Sequence, residues 1–459
     1  MPDPSILDLF TPIVPENKWH PNFARIKSGA SIPEIDVLNR WAHGFRDRDG
    51  KFVKEFQTTF NSSFWELYLH ALFCEAHCKL EQSHSRPDFV IIGGPLGQFT
   101  AEAVIASNPK QHLPEWAWDP TQPPLPREDM LDLACLRLSQ AIVGKHNKWT
   151  TGYSSLPHCS GHPFVVCVCP FDQPWASLQG TEAIDRVLFK GPRPVVSATS
   201  GEPRVLGRTV SSHVFKPSGA SVELGIFTTP KYSAISAVIF SSLATWSKVH
   251  ALSDPAGRLM LFNGARLFGD GLKLFVEKGG DYVENIEDGA HIFLNPFAKL
   301  PLDPDPFFEL GLGVHLFAHD GTLTRIPRRG LLIGRNATEI RDPSEPTKPH
   351  SPPAGATPHV PALPPDGTPF AGPSSSPFAT EVTLELHRGW TLYVGRDPID
   401  KDWCVLGKRL ICRSLNVFVN AEMEPDDELM TSFLPTRDAA VAAARHQIAA
   451  MEASRDTLP

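Results

Sequence analysis

Hydrophobic and polar positions along this chain follow two periods, and one long stretch follows neither. Between Ser63 and Cys78, the residues Phe64, Leu67, Tyr68, Ala71 and Leu72 recur at helical spacing and predict an amphipathic helix. Residues 130 to about 143 predict a second helix, with Leu131, Cys135, Leu138 and Ile142 as its apolar stripe. Asp88–Ile92 and Phe99–Ala106 read as two strands, joined by Gly93-Gly94-Pro95-Leu96-Gly97 as a hairpin connection. Phe164–Cys169 is a continuous apolar run between turn signals, the pattern of a strand covered on both faces. Further strands are predicted at 223–228, 235–240, 258–262 and 272–276.

Neither period holds from Arg341 to Pro377, which contains 12 prolines among Ser, Gly, Thr and Ala. Such a segment has little apolar surface to bury, and the expectation is a semi-rigid tether. Beyond it, 381–387 alternates as a half-buried strand does, and 391–394 and 410–419 read as further strands. Thr436 is positioned to cap an alanine-rich helix running to about Ala453. The expected organisation is therefore a large domain at 1–340, a linker at 341–377 and a small module at 378–459, β-rich with a closing helix. For the large domain, the order helix, hairpin, helix, buried strand predicts an α/β (α+β) fold, a mixed sheet flanked by helices.

The chain's 459 residues suit two or three domains, and 41% hydrophobic against 20% charged residues argues for globular folding. Eight cysteines, several in apolar runs (Cys135, Cys167, Cys169), lack the spacing of a secreted disulfide framework. Residues 1–13 show no basic start and no long apolar run, and no stretch has the length of a membrane span. The expectation is a cytoplasmic protein without a membrane partner. A net charge of −8 is unfavourable for general nucleic-acid binding, though a protein acidic overall can carry one basic cleft.

Three carboxylates stand where chemistry is conceivable: Glu66 on the first helix, Asp88 at the head of the first strand, and Glu102 within the second. Adjacent antiparallel strands bring side chains together on one face, and a packed helix adds a third. Such a cluster suits a hard cation. Each residue also has a structural reading. Ser63-x-x-Glu66 has the form of a capping box, so Glu66 is either a helix cap, a site residue or both. Pro87-Asp88 is also ordinary strand-entry chemistry. Glu102 lies in an otherwise apolar strand, where an unpaired carboxylate is costly, so a cation or a basic side chain is expected beside it.

Phe64-Trp65-Glu66-Leu67-Tyr68-Leu69, Arg86-Pro87-Asp88-Phe89 and Glu102-Ala103 together resemble the PD-(D/E)XK nuclease superfamily, over residues 50 to 175, about a quarter of the chain. The longer pattern is also similar to that of a group of uncharacterised bacterial proteins. The resemblance implies a restriction-endonuclease-like αβββαβ core, with Phe164–Cys169 as its later core strand. It implies Glu66, Asp88 and Glu102 as ligands of Mg²⁺ or Mn²⁺, and Asp88 and Glu102 as catalytic residues hydrolysing phosphodiester bonds, in DNA rather than RNA. It also implies a lysine two residues after Glu102, where this chain has Val104. Members of the superfamily can carry that lysine on the next helix. Lys145 extends the stripe of Leu131, Cys135, Leu138 and Ile142 and is the candidate, with Lys148 second; Lys145 could equally serve only the helix dipole. The alternative is an inactive nuclease-fold scaffold that binds a protein or nucleic-acid partner, with the C-terminal module as the protein-binding arm.

Weaker constellations complete the inventory. His70, Cys74, His77 and Cys78 share one helix but lack a second ligand pair for zinc, so packing is the expectation. His158, Cys159 and His162 offer a thiol beside imidazoles without an assignable third partner. Gly93-Gly94-x-x-Gly97 lacks the Lys-Ser/Thr of a phosphate loop. Arg325, Arg328, Arg329 and Arg335 form a loose basic stretch, read as a solvated face.

Overall fold

The apolar run at 164–171 is the strand on which the large unit is built. A computed structural model describes residues 7–28, 32–110, 112–117, 125–196, 205–216, 218–254, 258–318, 321–340, 380–387, 390–396, 403–409, 428–430 and 442. The chain divides into two compact units, 1–349 and 350–459.

Helices described in the first unit are α1 (Pro21–Ser28), α2 (Ile32–Ala42), α3 (Phe52–Thr58), α4 (Phe60–Glu75), α5 (Arg127–Lys148), α6 (Glu182–Phe189), α7 (Trp246–Leu252) and α8 (Asp305–Leu310). Its strands are β1 (Lys79–Glu81), β2 (Phe89–Gly93), β3 (Phe99–Ser107), β4 (Phe164–Phe171), β5 (Arg193–Val196), β6 (Val205–Thr209), β7 (His213–Phe215), β8 (Ser221–Glu223), β9 (Ala237–Phe240), β10 (Leu259–Phe268), β11 (Gly271–Lys278), β12 (His291–Leu294), β13 (Gly313–Ala318), β14 (Gly321–Arg325) and β15 (Leu331–Ile340). The main sheet is eight-stranded, in the order β1-β2-β3-β4-β9-β12-β13-β14. β1, β2 and β3 form an antiparallel meander, whereas β3, β4 and β9 run parallel. This is a mixed sheet flanked by helices.

All eight residues of β4 are buried, and alternation decides where each goes. Val165, Cys167 and Cys169 pack in one core with Phe64, Trp65, Tyr68 and Leu72 of α4. Phe164, Val166 and Val168 pack in the other, with Leu131, Cys135, Leu138 and Ile142 of α5 and Ile184 and Val187 of α6. The helices α4 and α5 therefore cover opposite faces of the sheet. The Trp65 indole N–H donates to the Cys167 carbonyl at 3.0 Å, and the Tyr68 hydroxyl donates to the Ile286 carbonyl at 2.8 Å, which fixes the height and rotation of α4.

Four sequence expectations are corrected here. The first helix is not amphipathic: Phe64, Trp65, Leu67, Tyr68, Leu69 and His70 are all buried, because α4 runs beneath both the sheet and α2. It also starts earlier, at Phe60 after Thr59, so Ser63 lies inside it and no capping box forms. The predicted strand at 223–228 breaks at Gly225, whose φ of 84° turns the chain into a 3₁₀ turn at Ile226–Thr228. Helix α5 is longer than expected and carries Lys145 and Lys148 in its last turn.

β11, β10 and β15 form a second antiparallel sheet. A buried ion network ties it to α7: Lys248 pairs with Glu284, Arg335 Nε lies 2.8 Å from Glu284 Oε2, and Lys248 Nζ donates to the Asp288 carbonyl at 2.6 Å.

In the second unit, β16 (Thr380–His387), β17 (Trp390–Arg396), β18 (Trp403–Arg409) and β19 (Glu428–Met430) make an antiparallel sheet in that order. The strands expected at 381–387 and 391–394 are present within β16 and β17. Those expected at 410–419 and the linker at 341–377 lie outside the described residues, as does the helix expected at 436–453 apart from residue 442. Among the described residues no helix is long and apolar enough to cross a membrane.

Candidate active site

The β2–β3 hairpin sets the first two carboxylates side by side. Its register pairs Phe89 with Ala101, so Asp88, one residue earlier, lies alongside Glu102. Asp88 Oδ2 accepts the Ala103 backbone N–H at 2.8 Å, which clamps the carboxylate onto β3. The tight connection depends on glycine: Gly94 has φ of 114°, and an added Cβ there would stand 2.7 Å from the His77 carbonyl oxygen. The Gly93-Gly94-Gly97 motif is thus a hairpin turn, closed by Gly97 N–H on the Gly94 carbonyl at 3.1 Å.

On β3, Val104 and Ala106 pack in the α5-side core, while Phe99 and Ala101 pack in the α4-side core. Glu102 shares the parity of Val104 and so faces α5. There it meets Lys145, which forms an ion pair with Glu102 and lies 3.6 Å from Asp88 Oδ2. The Glu102 and Lys145 side chains are only 4% and 13% exposed, so this pair is strongly desolvated. Burial opposes the Lys145 charge, but Asp88 and Glu102 together outweigh it and hold its pKa above the ordinary value. Burial and then Asp88 raise the Glu102 pKa, against the pull of Lys145. Lys148, the second candidate, is solvent-exposed and acts on Glu102 only at a distance.

Glu66 comes from the other side of the sheet, and its nearest cation is Arg48, Nη2 to Oε1 at 3.5 Å. Burial, and then the charge of Asp88, push its pKa up to about 8, with Arg48 and Lys145 pulling it down. Arg48 also donates to the carbonyls of His84 at 2.7 Å and Pro87 at 3.1 Å, so it braces the loop that delivers Asp88. The three predicted carboxylates thus share one electrostatic neighbourhood, with Lys145 between two of them. Among the described residues no group of three His, Cys, Asp or Glu side chains stands ready to hold a metal ion. Glu66 approaches on α4 and Lys145 on α5, from opposite sides of the sheet, and each carboxylate lies against a basic side chain.

Sequence reasoning missed Arg48 and Tyr153. Arg48 sits in a charged loop, Arg46-Asp47-Arg48-Asp49, that carries no periodicity. Tyr153 closes the turn after α5, and its phenol is perturbed by burial first and then by Glu102, Lys145, Arg86 and Asp88. The remaining constellations are structural. His70 Nδ1 bonds the Trp41 carbonyl at 2.8 Å, and Cys74 Sγ lies 3.5 Å from His70 Nε2. His158 bonds the Arg86 carbonyl at 2.8 Å, and burial holds the Cys159 thiol up to about 11, so no activated thiol–imidazole pair forms. The basic stretch is not a solvated face throughout: Arg325 pairs with Asp305, Arg329 with Glu287, and Arg335 is buried on Glu284.

In class, this is a mixed α/β protein in which a helix lysine meets a partly buried carboxylate pair on a sheet hairpin. None of the family models, curated proteins or solved structures compared with the chain matches it.

Proposed function

We propose that this chain is a metal-dependent nuclease that hydrolyses phosphodiester bonds in DNA. The observation that carries the reading is Lys145 on Glu102 and Asp88: a half-buried ammonium reaches the carboxylate pair from α5, as the resemblance requires of a chain with Val104 on the strand. The element order α4, β1-β2-β3, α5, β4 is also the αβββαβ order of a restriction-endonuclease-like core.

The donor chemistry suits a hard cation such as Mg²⁺ or Mn²⁺, which would have to displace Arg48 and Lys145 from these carboxylates. Glu66, Asp88 and Glu102 offer only carboxylate oxygens; burial first and Asp88 second raise the pKa of Glu66 and Glu102, and a bound cation would favour their charged forms. These three residues would hold the ion. When bound, such an ion polarises a phosphoryl oxygen and acidifies water. The chain's own groups do the rest. Asp88, fixed on the Ala103 N–H, keeps its orientation as charge changes around it. Lys145 keeps its proton and stabilises negative charge developing on the phosphate. Arg48, Arg86 and Lys148 add local positive charge to a chain that is acidic overall, as an anionic substrate requires.

A second reading has its own observation. Arg48 on Glu66 neutralises a residue that a metal would need, as in a nuclease-fold scaffold that has lost activity and binds a partner, nucleic acid or protein, the latter through the C-terminal module. The two readings separate in a cleavage assay on plasmid and linear DNA, and on RNA, with Mg²⁺ or Mn²⁺. Cutting by the wild type, abolished in Asp88→Asn and Glu102→Gln, supports the enzyme. A folded wild type that cuts nothing with either metal supports the scaffold.

A further inference from the structure

Beside the carboxylate pair stands a wall of rings that the proposed chemistry does not use. Tyr153 is half-buried on the turn after α5, and the exposed Arg86 guanidinium lies over its ring, 5.9 Å from the centroid. His84 and His158 stack with centroids 3.6 Å apart and planes 6° from parallel. The ring nitrogen Nε2 of His158 donates to the Arg86 carbonyl at 2.8 Å, which ties this pair to Arg86 and hence to Tyr153. The wall joins two segments, the loop that delivers Asp88 and the turn that follows Lys145. The Tyr153 phenol is within electrostatic reach of Glu102, Lys145 and Asp88.

A duplex keeps its base faces stacked inside and presents phosphates and groove edges to a protein. Rings placed beside a phosphate-cleaving site gain a partner only when a neighbouring base is unstacked, as in single strands, flaps and frayed ends. A guanidinium over a phenol ring widens the stacking surface and adds a charge for the adjoining phosphate. We infer that Tyr153, with Arg86 over it, is a stacking platform for an unpaired base next to the scissile phosphate, so that the substrate is single-stranded or locally unpaired DNA. This inference rests on the nuclease reading and narrows its substrate.

The test is a fluorescence-anisotropy titration of the full-length chain in EDTA, where metal-dependent cutting is suppressed. The probes are a labelled single-stranded 20-mer and the same sequence as a blunt duplex. The wild type is expected to bind the single strand about 10-fold more tightly than the duplex, the scale of one stacked base. Tyr153→Leu is expected to erase that preference and leave duplex affinity unchanged, while Tyr153→Phe retains it. A ring that merely braced the two loops would weaken both probes alike, which overturns the inference. Equal affinity of the wild type for both probes, a preference that survives Tyr153→Leu, or no binding to either also overturns it. The nuclease reading fails separately, by an absence of cleavage with Mg²⁺ or Mn²⁺ while the binding preference stands.

Discussion

Lys145 Nζ lies 3.6 Å from Asp88 Oδ2 while it is ion-paired to Glu102, so one ammonium from α5 serves carboxylates on two different strand segments. In the proposed nuclease, this ammonium takes the role of the strand lysine that the resemblance expects at Val104.

Removal of that ammonium is expected to slow chemistry more than binding. Lys145→Ala should lower kcat for Mg²⁺-dependent DNA cleavage about 10²–10³-fold, the scale of losing one fixed transition-state donor. Val104 shares the face of Glu102, so Val104→Lys in the Lys145→Ala background should restore part of the rate. Initial rates on plasmid decide it; a Lys145→Ala protein as fast as wild type would sink the assignment.

Glu66 predicts a pH dependence with a definite sign. Its pKa is raised by burial and by Asp88 from 4.5 to about 8, so the folded protein keeps a proton that the unfolded chain has already released. The stability from that proton is fully present below the unfolded value and is lost as pH rises through the folded one. Between about pH 5 and pH 8 the wild type should therefore lose melting temperature relative to Glu66→Gln, which cannot titrate. Mg²⁺ should oppose the loss near pH 8, where the carboxylate is free to bind it. Thermal melts across this range, with and without the metal, read both effects; parallel curves for the two proteins refute the first.

The hairpin turn should tolerate no side chain at Gly94. Gly94→Ala places a Cβ 2.7 Å from the His77 carbonyl oxygen at a φ of 114°. A cost of about 1–3 kcal/mol is expected from backbone strain alone. Urea denaturation measures it, and because the turn positions Asp88 against β3, Mg²⁺-dependent cleavage should fall as well.

The Lys248–Glu284 pair is wholly buried, with Arg335 on the second carboxylate oxygen. Lys248→Met leaves a buried carboxylate short of one partner and is expected to cost about 3–5 kcal/mol. Chemical unfolding should show this loss, and the double variant with Glu284→Gln should recover part of it. A single variant as stable as wild type would assign the network no role in joining α7 to the second sheet.

Much of the site was legible in the chain because each signal there was local. Glu102 in an apolar strand announced a need for a positive partner, since a lone carboxylate in that setting is too costly to keep. Lys145, in step with Leu131, Cys135, Leu138 and Ile142, was marked as the inward-pointing lysine by helical spacing. Arg48 and Tyr153 carried no such signal, because loop residues have no period to reveal what they face. Ser63, three residues before Glu66, left a cap role open beside the site role, and the cap role falls because α4, packed against α2 and α3, starts earlier, at Phe60.

By itself, then, the sequence determined the elements whose patterns admit one solution: the doubly buried β4, the β2–β3 hairpin with its glycine turn, the α5 stripe, and a carboxylate on β3 that demands a cation. Only the tertiary structure decided which cation answers it, that Arg48 takes Glu66, and that the strands from 237 onward extend the sheet to eight. The reason is that those outcomes depend on which face of the sheet each helix covers. That choice is made by long-range packing between segments far apart in the chain, and no local period encodes it.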